Sequence, residues 1–129
     1  MRLLHTMIRV GNLEKSIEFY TQILGMTLLR QKEYPDGRFT NAFLGYGPES
    51  EHSALELTYN WDVDSYEMGS GFGHLAVEVG DVYQATKMMK ESGAKILREA
   101  GPMNAGSTII AFVEDPDGYQ IELIGDKNR

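Results

Sequence analysis

An internal repeat limits the folds that this chain can adopt. His5 recurs as His74, 69 residues later, and the same spacing links three further pairs in chain order: Val10 with Val79, Gly11 with Gly80 and Phe43 with Phe112. The segment ALEL (54–57) recurs as QIEL (120–123) at a spacing of 66, so that Glu56 corresponds to Glu122. Matches that keep chain order indicate a duplication, because chance matches would not stay in step.

Both halves of the sequence also predict the same order of elements. Residues 3–12 read as a strand that ends in a Gly-Asn turn, and residues 13–25 have apolar residues at helical spacing followed by a terminal glycine. Three extended stretches follow. The order begins again with a strand at 73–81 and a helix at 82–93, where Met88 and Met89 are expected in the core. The pattern predicts an α+β fold of two tandem βαβββ modules.

Length and composition narrow the class of protein. A chain of 129 residues buries roughly two-thirds of its unfolded surface, so we expect one domain over 1–129, with modules at about 1–66 and 71–129. The net charge of −7 argues against nucleic-acid and membrane partners. Cysteine is absent, which excludes disulfides and thiol nucleophiles. Because no secretory signal or spanning segment is apparent, we expect a cytoplasmic protein.

The repeated acidic and histidine residues predict a metal site. If each module forms a curled sheet and a pseudo-twofold axis relates the two, four side chains can converge: His5, Glu56, His74 and Glu122. Taken singly, such residues are more often structural histidines or outward-facing glutamates, but their repetition in step favours ligands. Two imidazoles and two carboxylates suit a divalent first-row metal, and nickel, cobalt or manganese fit an octahedral site with open positions better than zinc does.

Neighbouring residues on the same strands could bind a substrate. Residues two and four apart on a strand share a face, so Arg9 shares the side of His5, and Thr58 and Asn60 share the side of Glu56. A guanidinium and an amide beside a metal would suit a substrate that carries a carboxylate or peptide groups. A surface salt bridge is the alternative role for Arg9.

Five segments together resemble the glyoxalase I (lactoylglutathione lyase) family of the vicinal oxygen chelate superfamily: HTMIRV, SIEFYTQILGM, ELTYNW, GFGHLAVEV and AFVEDPDGYQIELI. The resemblance spans essentially the whole chain and is closest to the short bacterial form. It implies paired βαβββ modules with curled mixed sheets and a homodimer with active sites at its interface. At each site His5 and Glu56 would come from one subunit, and His74 and Glu122 from the other.

The resemblance also implies a reaction. The family converts the hemithioacetal of methylglyoxal and glutathione into S-lactoylglutathione through an enediolate. By the match, Glu122 is the base and Glu56 the second candidate, while Arg9 and Asn60 would hold the glutamyl end of glutathione. His5 stands where zinc-activated members carry glutamine, which favours Ni²⁺ or Co²⁺ over Zn²⁺ as the cofactor.

Two other functions remain open at this point. A dioxygenase or a thiol transferase of the same superfamily is the alternative enzyme, although dioxygenases use two histidines and one carboxylate, so a fourth ligand argues against them. A metal-free module that binds a hydrophobic drug is the alternative from another class. It predicts an apolar groove without the four ligands, and metal retention through purification would separate it from a metalloenzyme.

Overall fold

The computed structural model describes residues 1–104 and 106–125. The chain divides into two compact units, of which the first covers Met1–Glu67 and the second begins at Met68. Each unit contains one four-stranded mixed sheet, with its elements in βαβββ order. The predicted fold of two tandem βαβββ modules is confirmed.

The first module begins with strand β1 (His5–Arg9) and helix α1 (Leu13–Glu18), which continues into one π-helical turn (Phe19–Ile23). Its remaining strands are β2 (Thr27–Tyr34), β3 (Phe39–Gly45) and β4 (Ala54–Asn60). The sheet has the order β1-β4-β3-β2, in which β1 runs parallel to β4 and the other pairs are antiparallel.

The second module repeats this topology. It contains strand β5 (His74–Val79), helix α2 (Val82–Glu91) and strands β6 (Lys95–Pro102), β7 (Ile109–Glu114) and β8 (Gln120–Gly125). The sheet order is β5-β8-β7-β6, again with one parallel pair, β5 and β8. No helix in the described ranges is long and apolar enough to cross a membrane.

The helix caps repeat along with the strands. Asn12 and Asp81 precede the two helices, and each accepts a hydrogen bond at 3.1 Å from a backbone N–H three residues later. Gly25 and Gly93 follow the helical segments with φ of +74° and +92°, a conformation that disfavours other residues. These polar caps and glycines explain why both helices begin and end where the sequence predicts.

Two helical details differ from the sequence prediction. The first helix widens into a π-helical turn, in which the Leu24 N–H donates to the Phe19 carbonyl, five residues back, at 3.1 Å. In α2, Met89 is buried but Met88 is 57% exposed, so placing both in the core was wrong. Adjacent helical residues point about 100° apart, and only one of them can face the sheet.

Alternation along the strands separates a core face from an open face in each module. On β1, Ile8 is buried, whereas His5, Met7 and Arg9 are exposed on the other side. The core of the first module includes Val10, Tyr20, Leu44 and Leu57. That of the second includes Val82, Met89, Val113, Ile121 and Leu123.

Candidate metal and catalytic site

In the first module the structure brings His5 and Glu56 into contact. His5 is the first residue of β1, and the parallel register pairs Met7 with Glu56 on β4. The Nε2 atom of His5 lies 3.1 Å from Oε1 of Glu56. The Glu56 side chain is only 15% exposed and contacts His5, so it lies on the face that carries His5 rather than in bulk water.

In the second module the structure forms the same pair from His74 and Glu122. His74 begins β5, and Ala76 pairs with Glu122 on β8 just as Met7 pairs with Glu56. His74 Nε2 lies 3.0 Å from Glu122 Oε1, and the Glu122 side chain is again 15% exposed. The four predicted ligands are therefore held as two equivalent pairs, one in each module.

The donor atoms of each pair suit a first-row divalent metal. Ligand atoms about 2.1 Å from a metal and 90° apart are about 3.0 Å from each other, and at a tetrahedral angle about 3.4 Å. Separations of 3.1 and 3.0 Å fit the 90° arrangement, and they are also those of a charge-assisted hydrogen bond. Within residues 1–104 and 106–125, no group of three or more potential ligands could hold a metal. Each pair thus supplies two of the four predicted ligands.

An aromatic ring packs edge-on against each histidine. The rings of Phe43 and His5 are 5.2 Å apart at 90°, and those of Phe112 and His74 are 5.3 Å apart at 88°. Each phenylalanine lies beside a ligand strand, opposite Glu56 or Glu122 in the register. Such contacts restrict the orientation of the imidazole rings. The sequence revealed the two phenylalanines only as members of the repeat.

Glu56 makes further hydrogen bonds through its second carboxylate oxygen. The Thr58 hydroxyl donates to Glu56 Oε2 at 2.9 Å, and the Asn41 amide nitrogen lies 3.4 Å from the same oxygen. Asn41 on β3 is directly opposite Thr58 on β4. Sequence reasoning named Thr58 as a neighbour but missed Asn41. Its signal was its position two residues before Phe43, which places it on the same face of the sheet.

A charged pair lies on the far side of Phe43. The Arg30 guanidinium is 3.6 Å from the centroid of the Phe43 ring and donates to both carboxylate oxygens of Glu49, at 2.7 and 3.1 Å. The hydrogen bond from Arg30 lowers the pKa of Glu49 below its usual 4.5, and the same bond raises the pKa of Arg30. No sequence pattern indicates this pair, because Glu49 lies in a loop between β3 and β4.

The two predicted substrate-binding residues lie in the first module. Arg9 is exposed at the end of β1 and is paired in register with Thr58. Asn60 ends β4, two residues beyond Thr58, and its amide nitrogen donates to the Tyr66 hydroxyl at 3.0 Å. Arg9 and Asn60 therefore extend the same strands that carry His5 and Glu56. Their roles toward a substrate stay predictions.

Comparison with known proteins identifies the family. The model of the glyoxalase/bleomycin resistance protein/dioxygenase superfamily matches residues 2–123. A lactoylglutathione lyase of Neisseria meningitidis is 61% identical over 128 residues, which cover 99% of this chain and 93% of the relative. The chain belongs to this superfamily and, within it, to the glyoxalase I family. The resemblance seen in the sequence motifs is thus confirmed at the level of the family.

Solved structures of the family share the fold. Glyoxalase I from Zea mays matches with a TM-score of 0.93 and 54% identity over 95% of this chain, which spans only 44% of the maize chain. A glyoxalase I of Leishmania major, described as trypanothione-dependent, matches with a TM-score of 0.89 and 46% identity, over 98% of this chain and 88% of that one.

Proposed function

We propose that this chain is a lactoylglutathione lyase, which isomerises the hemithioacetal of methylglyoxal and glutathione to S-lactoylglutathione and so detoxifies methylglyoxal. The observation that carries the proposal is the pair of equivalent His–Glu contacts, at 3.1 and 3.0 Å, in a chain 61% identical to a protein with that name. A dioxygenase is less well supported, because its iron site needs one carboxylate and here both modules supply one.

We propose that one divalent ion is held by His5 and Glu56 of one copy and by His74 and Glu122 of a second copy. A homodimer of this kind would have two sites. It is supported by the finding that each module presents two ligand side chains on one face. Nickel or cobalt is the proposed cofactor in preference to zinc, since the first ligand is His5. When bound, such an ion would supply the Lewis acidity that stabilises negative charge on the substrate oxygens.

The proton transfer is assigned to Glu122. Its carboxylate removes the proton from C1 of the hemithioacetal to give an enediolate and returns a proton to C2. The product has the same oxidation level overall as the substrate, so neither a nicotinamide nor a flavin is required. The side chain is only 15% exposed, which limits exchange of the transferred proton with bulk water. Glu56 is the second candidate for this role.

Arg9 and Asn60 are proposed to hold the glutamyl end of glutathione. A guanidinium forms paired hydrogen bonds with a carboxylate, which is the group that Arg9 would bind. Asn60 donates to Tyr66 through its amide nitrogen, and among the described residues no donor reaches its carbonyl oxygen. We propose that this oxygen accepts a hydrogen bond from the substrate. Cytoplasmic localisation stays a prediction from the sequence.

The test is reconstitution of chelator-stripped protein with nickel, cobalt or zinc in parallel, followed by measurement of thioester formation from methylglyoxal and glutathione. We expect activity with nickel and cobalt and little with zinc. Activity mainly with zinc would retain the reaction and contradict the proposed metal preference. No activity with any of the three metals would contradict the proposed function.

A further inference from the structure

The two carboxylates differ in one respect, although their geometry otherwise matches. Both contact a histidine at 3.0–3.1 Å, both are 15% exposed, and both lie beside a phenylalanine. Among the residues that the structure describes, only Glu56 has donors at its second oxygen: the Thr58 hydroxyl at 2.9 Å and the Asn41 amide at 3.4 Å. Burial therefore does not distinguish the two carboxylates, whereas hydrogen bonding does.

The equivalent positions around Glu122 are apolar. Thr58 follows Glu56 by two residues on β4, and Ile124 follows Glu122 by two residues on β8. Opposite these residues, Asn41 is paired with Thr58, and Ile110 with Ile124. Over residues 1–104 and 106–125, no side chain donates a hydrogen bond to Oε2 of Glu122. Thr58 and Asn41 thus form a polar clamp on Glu56 in the first module. In the second module two isoleucines take their places beside Glu122.

We propose that Thr58, assisted by Asn41, is a positioning residue that holds Glu56 as a fixed metal ligand, and that Ile124 and Ile110 leave Glu122 able to turn and carry the proton. This inference rests on the proposed function. To turn away from its histidine, Glu56 must break the bond from Thr58, and two isoleucine side chains offer Glu122 no such bond. This difference in hydrogen bonding gives the two carboxylates separate tasks: Glu56 holds the metal, and Glu122 transfers the proton.

The first experiment removes the clamp without changing its shape. Thr58→Val replaces the hydroxyl by a methyl group, and nickel binding to metal-free protein is measured by calorimetry. We expect the nickel dissociation constant to rise about tenfold or more, the usual effect of removing a group that orients a metal ligand. Thr58→Ser keeps the hydroxyl and should recover most of the affinity. Wild-type nickel affinity in Thr58→Val would overturn the proposal.

The reciprocal experiment builds a clamp beside Glu122. Ile124→Thr introduces a hydroxyl at the equivalent position, and Ile124→Val is the control of the same shape without it. We expect kcat for the hemithioacetal to fall about tenfold in Ile124→Thr relative to Ile124→Val, with KM little changed, because the moving carboxylate gains a bond that it must break. Equal kcat values in these two variants would overturn the proposal.

The two tests also separate this inference from the proposed function. A wild-type protein that forms no thioester with any metal contradicts the function, whereas an active wild-type protein with unaffected Thr58→Val and Ile124→Thr variants contradicts only the division of tasks. Thermal melting of each variant shows whether it is folded. If Thr58→Val does not fold, Asn41→Leu takes its place, and it should weaken nickel binding to a smaller extent, because its contact is longer at 3.4 Å.

Discussion

The two modules share their ligand geometry but differ in the row of residues next to it. Across the first sheet the row beside Glu56 reads Arg9, Thr58, Asn41 and Lys32, all polar. Across the second sheet the equivalent row reads Glu78, Ile124, Ile110 and Gly101. The His–Glu contact is the part of the site that both modules share. The polar row carries hydrogen-bonding groups, whereas the isoleucines in the second row offer the second carboxylate oxygen of Glu122 no hydrogen-bond donor.

A pair of arginines shows the same divergence. Arg30 and Arg98 occupy equivalent positions, opposite Phe43 and Phe112 in their sheets. Arg30 stacks on its phenylalanine and pairs with Glu49, whereas Arg98 donates to the backbone carbonyls of Gly101, Pro102 and Ile110. One arginine is therefore part of a charged cluster near the site, and the other stabilises the β6–β7 ladder.

The comparison predicts that the two glutamates respond differently to loss of charge. Glu122→Gln should lower kcat by at least about a hundredfold, because general base catalysis by a positioned carboxylate contributes that much or more. Glu56→Gln should act mainly by weakening nickel binding, so that high nickel restores much of the rate. Steady-state kinetics over a nickel titration measures both. A wild-type rate in Glu122→Gln would remove Glu122 as the base.

The next prediction concerns the polar row. Arg9→Ala should raise KM for the hemithioacetal about tenfold and lower kcat much less, because Arg9 is proposed to bind the glutamyl carboxylate rather than the reacting atoms. The matched control is Glu78→Gln at the equivalent position of β5, which should leave both constants unchanged. Unchanged kinetics in Arg9→Ala would return Arg9 to a surface role.

The smallest predicted effect is on thermal stability, and its dependence on pH should distinguish Arg30 from Arg98. Because Arg30 lowers the pKa of Glu49, its stabilisation is present above pH 4.5 and is lost as the pH falls through the lowered pKa. Arg30→Ala should therefore lower Tm by only about 1–3 °C at neutral pH, because the pair is exposed. At pH 3.5 the decrease in Tm should be smaller, because part of the stabilisation is already lost. Arg98→Ala removes bonds to carbonyls, which do not titrate. A pH-dependent Tm difference for Arg98→Ala would contradict this assignment.

Much of the fold could be predicted from the sequence because its signals are local or repeated. Alternation, helical spacing and the capping residues placed every strand and helix within a few residues, and the repeat alone pairs Glu56 with Glu122. The contribution of Asn41 to the clamp on Glu56 could not be predicted in the same way. Asn41 and Thr58 meet only through the β3–β4 register, which depends on the length and conformation of the intervening loop.

The helical errors have a similar origin. Local spacing identified the first helix but not its π-helical turn, in which the Leu24 N–H donates to the Phe19 carbonyl five residues back. Likewise, apolar character alone could not decide which of Met88 and Met89 faces the sheet. Features that depend on cross-strand register, or on which backbone groups pair within one helical turn, cannot be predicted from spacing along the sequence.

The first measurement to make asks whether one site uses a His–Glu pair from each of two copies. His5→Ala and His74→Ala are each expected to be inactive alone, because each removes a ligand from both sites of a homodimer. Refolded together as an equal mixture, half of the dimers would contain one copy of each, and each of these would have one intact site. We predict recovery of about a quarter of the wild-type rate with nickel. A mixture that stays as inactive as the separate variants would contradict the shared site.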